Sequence, residues 1–278
     1  MEKELEYDFI GPWSEIKLEI LKKYAKAYST IISNQTKVKL KHVYIDAFAG
    51  AGHHRTKETG EVVDGSPINA LNIKPSFQEY YFIDLNSAKI KALSDEAGKR
   101  SDVHIYEGDC NVELKKILPK VEYADFKRAL CILDPYGLHL KWEILQQIGQ
   151  MKSVEIFLNF PMMDINRNVL RRKIDSVSEE QIKRMNDFWG DNSWREIAYK
   201  REPDLFGGYE EKTSNESVTE AFRKRLQDVA GFRYVPRPMA MRGPTNAVLY
   251  YLFFATHNSN GEKIAKDIFR KYNSDNRR

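Results

Sequence analysis

The stretch Val43-Tyr44-Ile45-Asp46-Ala47-Phe48-Ala49-Gly50-Ala51-Gly52 reads as a buried parallel strand running into a glycine-bearing turn. Its apolar run has an acid near the carboxyl end, the edge at which open α/β sheets bind ligands. Gly50 and Gly52 carry no Cβ, so the backbone there can approach a ligand closely. Asp46 and Ala49 fall in the same expected site.

Upstream, Trp13, Ile16, Ile20, Leu21, Tyr24, Ala27, Tyr28 and Ile31 recur at helical spacing, so residues 13–33 are expected to form an amphipathic helix. Pro12 suits its first turn, and Ser33-Asn34 ends it. Downstream, strands are expected at 43–48, 79–83, 103–107, 129–133 and 154–159. Helices are expected between them at 67–73, 87–97, 111–117 and 142–150, the first with Ser66 as its N-cap. This alternation predicts a doubly wound parallel sheet. After Pro161 the chain turns charged and helical in period, with Trp189, Trp194 and Phe222 as apolar anchors and breaks at Gly207-Gly208 and 213–217. Two β-rich runs, 232–242 and 246–256, flank Arg242-Gly243-Pro244-Thr245 and predict an antiparallel pair at one end of the sheet. A helix at 264–272 closes the chain.

The expected fold is therefore α/β: a Rossmann-like, class I methyltransferase-type sheet of seven strands ending in an antiparallel hairpin. An ordinary dinucleotide dehydrogenase would lack that hairpin. The expected organisation is a helical lead (1–37), a cofactor-binding core (38–161), a helical insertion for substrate or partner (162–231) and a return to the core (232–278).

Composition narrows the class. The 278 residues suffice for one large domain, or one with an insertion. With 44 Lys and Arg against 40 Asp and Glu, the net charge of +4 permits an acidic partner without demanding one. Cys110 and Cys131 make no metal framework, and His53-His54 has no third ligand at a suitable spacing, so no metal site is expected. The same absence argues against a nuclease or a zinc deaminase. No phosphate-loop motif is present, which argues against an ordinary P-loop ATPase. The apolar run at 247–255 is far shorter than a membrane span, and the charged Met1-Glu2-Lys3-Glu4 opening is unlike a signal peptide. A soluble cytoplasmic protein is expected.

Four strand ends carry an aspartate: Asp46, Asp84, Asp109 and Asp134. Together they would line the carboxyl edge of one sheet, where a nucleoside-bearing cofactor lies. Asp84 could accept from both ribose hydroxyls, and Asp109 from an adenine amino group; Asp109 serves equally well as a helix N-cap. Leu85 and Cys110 adjoin these acids and complete the expected cofactor set. Asp134-Pro135-Tyr136-Gly137 is both good turn chemistry and a candidate catalytic motif. A ring amine is a poor nucleophile because its lone pair is delocalised. The Asp134 carboxylate and Pro135 carbonyl could bind its hydrogens, and Tyr136 could stack on a flipped base. Asn159 and Phe160 end the next strand and are candidate substrate contacts, with Arg171 and Arg172 placed to meet phosphates or simply to face solvent.

Four blocks carry a family resemblance: Tyr44-Ile45-Asp46-Ala47-Phe48-Ala49-Gly50-Ala51-Gly52, Gly65-Ser66-Pro67-Ile68-Asn69-Ala70-Leu71, Leu133-Asp134-Pro135-Tyr136-Gly137 and Leu158-Asn159-Phe160-Pro161. In this order they resemble the three-Cys-motif partner protein (TcmP) family, a methyltransferase-like group. The resemblance spans most of the chain and is weakest in the insertion. It implies a Rossmann-like fold, S-adenosylmethionine as cofactor and association with a separate radical-SAM-like protein bearing three cysteines. Enzymes that methylate base amines in nucleic acids usually carry Asp/Asn-Pro-Pro-Tyr/Phe, and this chain has one proline fewer. The expected activity is transfer of a methyl group to a nucleic-acid base. The alternative is a binding or adaptor subunit for the three-cysteine protein.

Overall fold

The structure is a computed structural model and describes residues 7–171, 176–202 and 209–275. A two-residue strand, β1 (Phe9–Ile10), precedes α1 (Pro12–Ser33), which starts on Gly11 with Pro12 in its first turn. There follow β2 (Lys41–Asp46), the hairpin β3 (His53–Thr56) and β4 (Val62–Asp64), α2 (Ser66–Leu71), β5 (Glu79–Asp84), α3 (Ser87–Ala97), β6 (Val103–Glu107) and α4 (Cys110–Ile117). Next come β7 (Lys127–Leu133), α5 (Trp142–Met151) and β8 (Val154–Phe160). The insertion holds α6 (Met162–Asn168), α7 (Glu179–Trp189), α8 (Trp194–Ala198), β9 (Tyr199–Glu202), β10 (Tyr209–Lys212) and α9 (Asn215–Asp228). The chain closes with β11 (Met239–Arg242), β12 (Val248–Ala255) and α10 (Ser259–Asp275).

Seven strands form the main sheet in the order β11-β12-β8-β7-β2-β5-β6. The five from β8 to β6 are parallel, while β12 runs antiparallel between β8 and β11. The expected seven-strand sheet with a terminal antiparallel pair is thus present. β12 pairs with β8 through Tyr251↔Phe160 and Leu252↔Asn159, so its first residues reach past the carboxyl end of β8. One face of the sheet packs on α1, α2, α3 and α10 through residues such as Ile20, Ile68, Leu93 and Phe269. The other packs on α4, α5, α7 and α9 through Leu114, Leu145, Phe188 and Phe222.

Several expectations are corrected. Ile31 is exposed and Ile32 is buried in its place, because the buried stripe of a 3.6-residue helix drifts along 17, 20, 21, 24, 28 and 32. Gly65, not Ser66, is the N-cap of α2; Ser66 is its first residue. The insertion is not wholly helical, since β9 and β10 pair antiparallel within it. Gly207-Gly208 lie outside the described residues. Residues 53–64, to which the sequence pattern assigns no element, form the β3–β4 hairpin, which β1 joins in parallel. Of the run 232–242 only Met239–Arg242 is a strand, with one further bridge between Tyr234 and Thr256. Trp189, Trp194 and Phe222 do anchor the insertion, all buried. Among the described residues no helix is long and apolar enough to cross a membrane.

On the α1 face, buried Glu155 of β8 accepts from the hydroxyls of Tyr24 and Thr256, the latter at 2.9 Å. Burial outweighs these bonds and pushes its pKa up to about 7. The native state therefore keeps a proton that the unfolded chain releases above its ordinary value of 4.5. The associated stability is complete below that value and is lost as pH rises toward 7, roughly 3 kcal/mol in all. Glu155→Gln removes this titration. Urea unfolding should show the variant gaining about 2 kcal/mol relative to wild type between about pH 5.5 and 8. An equal difference at both pH values would refute the assignment.

Candidate functional site

The order β7-β2-β5-β6 sets Asp134, Asp46, Asp84 and Asp109 side by side along the carboxyl edge of the sheet. The turn after β2 is built around them. Ala49 is buried and donates its N–H to the Ile83 carbonyl at 2.9 Å, and Gly50 donates its own to Asp84 Oδ2 at 2.8 Å. Gly50 has φ 64°, and no atom lies within 4 Å of where a Cβ would stand. Gly52, at φ 88°, packs so closely that a Cβ would come to 3.1 Å from Ile68 and Leu93. One glycine thus opens onto free space and the other closes onto the core.

Asp84 Oδ1 accepts from the Asn86 N–H at 2.9 Å, and Asn86 caps α3. The carboxylate is fixed by two backbone donors, and each oxygen retains a further lone pair. Beside it the apolar side chain of Leu85 is 75% exposed. Asp109 is exposed and is the N-cap of α4, accepting from the Asn111 N–H at 2.7 Å. Asn111, itself buried, ties this end to the loop after β7 by donating to the His139 carbonyl at 2.8 Å and accepting from the Lys141 N–H at 2.8 Å. Cys110 is buried, and burial pushes its thiol up to about 12, so it is no nucleophile.

Asp46 lies beneath the edge, fully buried. It accepts from the Ser66 hydroxyl at 2.6 Å and the Phe48 N–H at 3.2 Å. Burial pushes its pKa up to about 7 despite those bonds, with Asp134 and Asp84 adding to the rise. Its local role is to hold α2 and the turn together.

Asp134 meets the residue that sequence reasoning missed. Lys17 of α1 is buried and its ammonium pairs with Asp134 Oδ2. Asn159 donates to Asp134 Oδ1 at 2.8 Å and, more weakly, to the Pro135 carbonyl at 3.4 Å. Burial alone would lower the Lys17 pKa; Asp134, then Tyr250 and Asp46, outweigh it and the net displacement is upward. The ammonium also sits 5.3 Å from the centre of the Tyr250 ring. Lys17 had a signal in the sequence, for it falls within the apolar stripe between Trp13 and Ile20.

Tyr136 projects from this loop, 77% exposed, with its hydroxyl donating to Asp8 Oδ2 at 3.2 Å. Asp8 also pairs with Lys89 of α3, so the segment leading into β1 crosses the mouth of the site. Asp164 of α6 is a second omission. Its Oδ1 accepts from Asn168 at 2.7 Å, while its buried Oδ2, beside Gly137, has no hydrogen-bond partner among the described residues.

Two expected substrate contacts are not at the site. Phe160 is fully buried among Phe188, Phe222 and Phe253 and belongs to the core. Neighbouring strand residues point to opposite faces, so Asn159 meets Asp134 on the α1 side while Phe160 faces the insertion. Arg171 is exposed; it donates to the Arg167 carbonyl at 3.3 Å and its own carbonyl accepts from Tyr199 at 2.7 Å. None of these bonds reaches the Asp134 cluster. Arg172 lies outside the described residues. Among the described residues no group of three or more His, Cys, Asp or Glu side chains could hold a metal ion.

No family model and no curated protein matches the chain. Solved structures do. A crystal structure of a Legionella pneumophila protein is 13% identical, covers 89% of each chain and has a TM-score of 0.51. A putative S-adenosylmethionine-dependent methyltransferase from Listeria monocytogenes is 10% identical over 85% of this chain and 99% of its own, with a TM-score of 0.41. The N-methyltransferase NodS from Bradyrhizobium japonicum is 9% identical over 89% and 98%, with a TM-score of 0.39. At such identities the likeness is one of fold. With its strand order and antiparallel β12, the chain has a Rossmann-like α/β fold of the class I methyltransferase type.

Proposed function

We propose that the chain is an S-adenosylmethionine-dependent methyltransferase acting on a base nitrogen of nucleic acid. The observation that carries this reading is the row of Asp84, Asp109 and Asp134 beside the open Gly50 turn, with Leu85 uncovered among them. These residues fit the cofactor: carboxylates with spare lone pairs for ribose and adenine donors, an apolar side chain for a ring face, and a glycine that leaves room. When bound, S-adenosylmethionine supplies an electrophilic methyl group. The protein's part is positioning. Asp84 accepts from the ribose and Asp109 from the adenine amine. Asp134 and the Pro135 carbonyl hold the hydrogens of the target amine, and Tyr136 stacks on the base. Lys17 fixes the Asp134 carboxylate in orientation.

The test is incubation of the purified chain with methyl-labelled cofactor and mixed DNA and RNA, beside calorimetry with S-adenosylhomocysteine. Label in the nucleic acid is the expected result; failure to bind the cofactor product at millimolar concentration would defeat the reading.

One observation favours a second reading. Both Asp134 oxygens are already engaged, by Lys17 and Asn159. A chain that keeps the cofactor fold but serves as an adaptor for a radical-SAM-like, three-cysteine partner would leave that carboxylate so occupied. Cofactor binding without label transfer, together with co-purification of such a partner, would favour the adaptor.

A further inference from the structure

Beyond β12 the sheet ends at β11, and a groove of about 880 Å³ follows this edge between α9 and α10. Arg237, Arg242, Lys266 and Arg270 line it, against one carboxylate, Glu216. Lys266 and Arg270 each face an acid of their own helix, Glu262 at 2.7 Å and Asp267 at 3.3 Å. Among the described residues Arg237 and Arg242 form no ion pair; Arg242 donates only to the Asn246 carbonyl, at 2.8 Å. Arg237 and Arg242 are both exposed.

The groove and the candidate site share the carboxyl edge of the sheet, and Tyr251 in the groove faces the side opposite Lys17. Adjacent residues of β12 divide between the two: Tyr250 lies against Lys17, whereas Tyr251 lines the groove. Tyr251 pairs with Phe160, next to the Asn159 that holds Asp134. From β12 across β8 to β7 is two inter-strand spacings, roughly 10 Å. Arg242 pairs with Val248 at the start of β12, which places the turn after β11 on the same carboxyl edge as Asp134.

We propose that this groove is the track for the phosphodiester backbone of a single-stranded nucleic acid whose target base enters the Asp134 site. The proposal deepens the methyltransferase reading and rests on it. Cationic side chains outside an internal ion pair are what a phosphate chain requires, and they fix register while the base is read elsewhere. An extended peptide added to the free edge is disfavoured. β11 has four residues, its register breaks between Met241 and Arg242, and Pro238 and Pro244 flank it, all of which blunt strand addition.

The experiment is fluorescence anisotropy of a short labelled single-stranded oligonucleotide, RNA and DNA in parallel, with the full chain between about 50 and 200 mM salt. Arg237→Glu/Arg242→Glu should raise Kd at least about tenfold and flatten the log–log salt slope by about 1.4, two phosphate contacts at ~0.7 each. Arg237→Gln/Arg242→Gln should show the same trend with a smaller shift. Affinity for S-adenosylhomocysteine should stay within about twofold in both variants, which separates loss of the groove from loss of the fold. Unchanged oligonucleotide affinity in the variants overturns the proposal. So does absence of binding by wild type, or an equal arginine-dependent affinity for polyglutamate. Arginine-dependent oligonucleotide binding by a chain that fails to bind S-adenosylhomocysteine would keep the groove and discard the methyltransferase.

Discussion

Asp134→Ala is expected to lower methyl transfer by about 10³-fold, the scale at which a positioned polar group in a reacting site acts. The same substitution strands the Lys17 ammonium, which is buried and paired with this carboxylate. Losing one member of such a pair costs about 3 kcal/mol of stability, the lower end of the usual range because Asp134 remains partly exposed. The two effects separate in the double variant Asp134→Ala/Lys17→Met. Removal of the orphaned charge should restore most of the unfolding free energy, read by urea titration, and none of the transfer, read by label incorporation. Transfer that survives in Asp134→Ala, or returns in the double variant, would show that this carboxylate does not present the nucleophile.

Asp84→Ala is expected to weaken S-adenosylhomocysteine binding about 100-fold, close to 3 kcal/mol, with far less effect on transfer at saturating cofactor. Its carboxylate both faces the proposed ribose position and fixes the turn through the Gly50 N–H at 2.8 Å. Asp84→Asn, which keeps one acceptor oxygen, should fall between. Calorimetry giving wild-type affinity for the alanine variant would remove Asp84 from the cofactor site.

The parts of the fold that were legible in the sequence are those that local physics decides. β6 and α3 have the expected bounds because alternating apolar residues, Val103 and Ile105, mark a half-buried strand and an amphipathic helix leaves a 3.6-residue period. The acids were legible because each ends a strand or follows one within two residues. What escaped depends on contacts between distant segments. Lys17 stands in the apolar stripe of α1, but its partner Asp134 lies 117 positions away and no local pattern names it. Ser66 has the chemistry of a cap, yet its hydroxyl is drawn to Asp46 of β2. Phe160 adjoins a site residue in sequence, but strand alternation turns it toward the α7 and α9 side. The β9–β10 hairpin was hidden by polar residues that suit a helix surface equally well.

The junction between Lys17 and Asp134 also bears on how the molecule comes together. Its two halves are 117 positions apart, so α1 emerges during synthesis long before the carboxylate that neutralises it. In that interval the helix carries a positive charge in the middle of its oily stripe, which disfavours premature sticking of that stripe to other apolar surfaces. Once β7 and β8 have joined β2, the charge finds its counterion and the stripe is sealed. The centre at which chemistry is proposed therefore closes only when segments 117 positions apart have met.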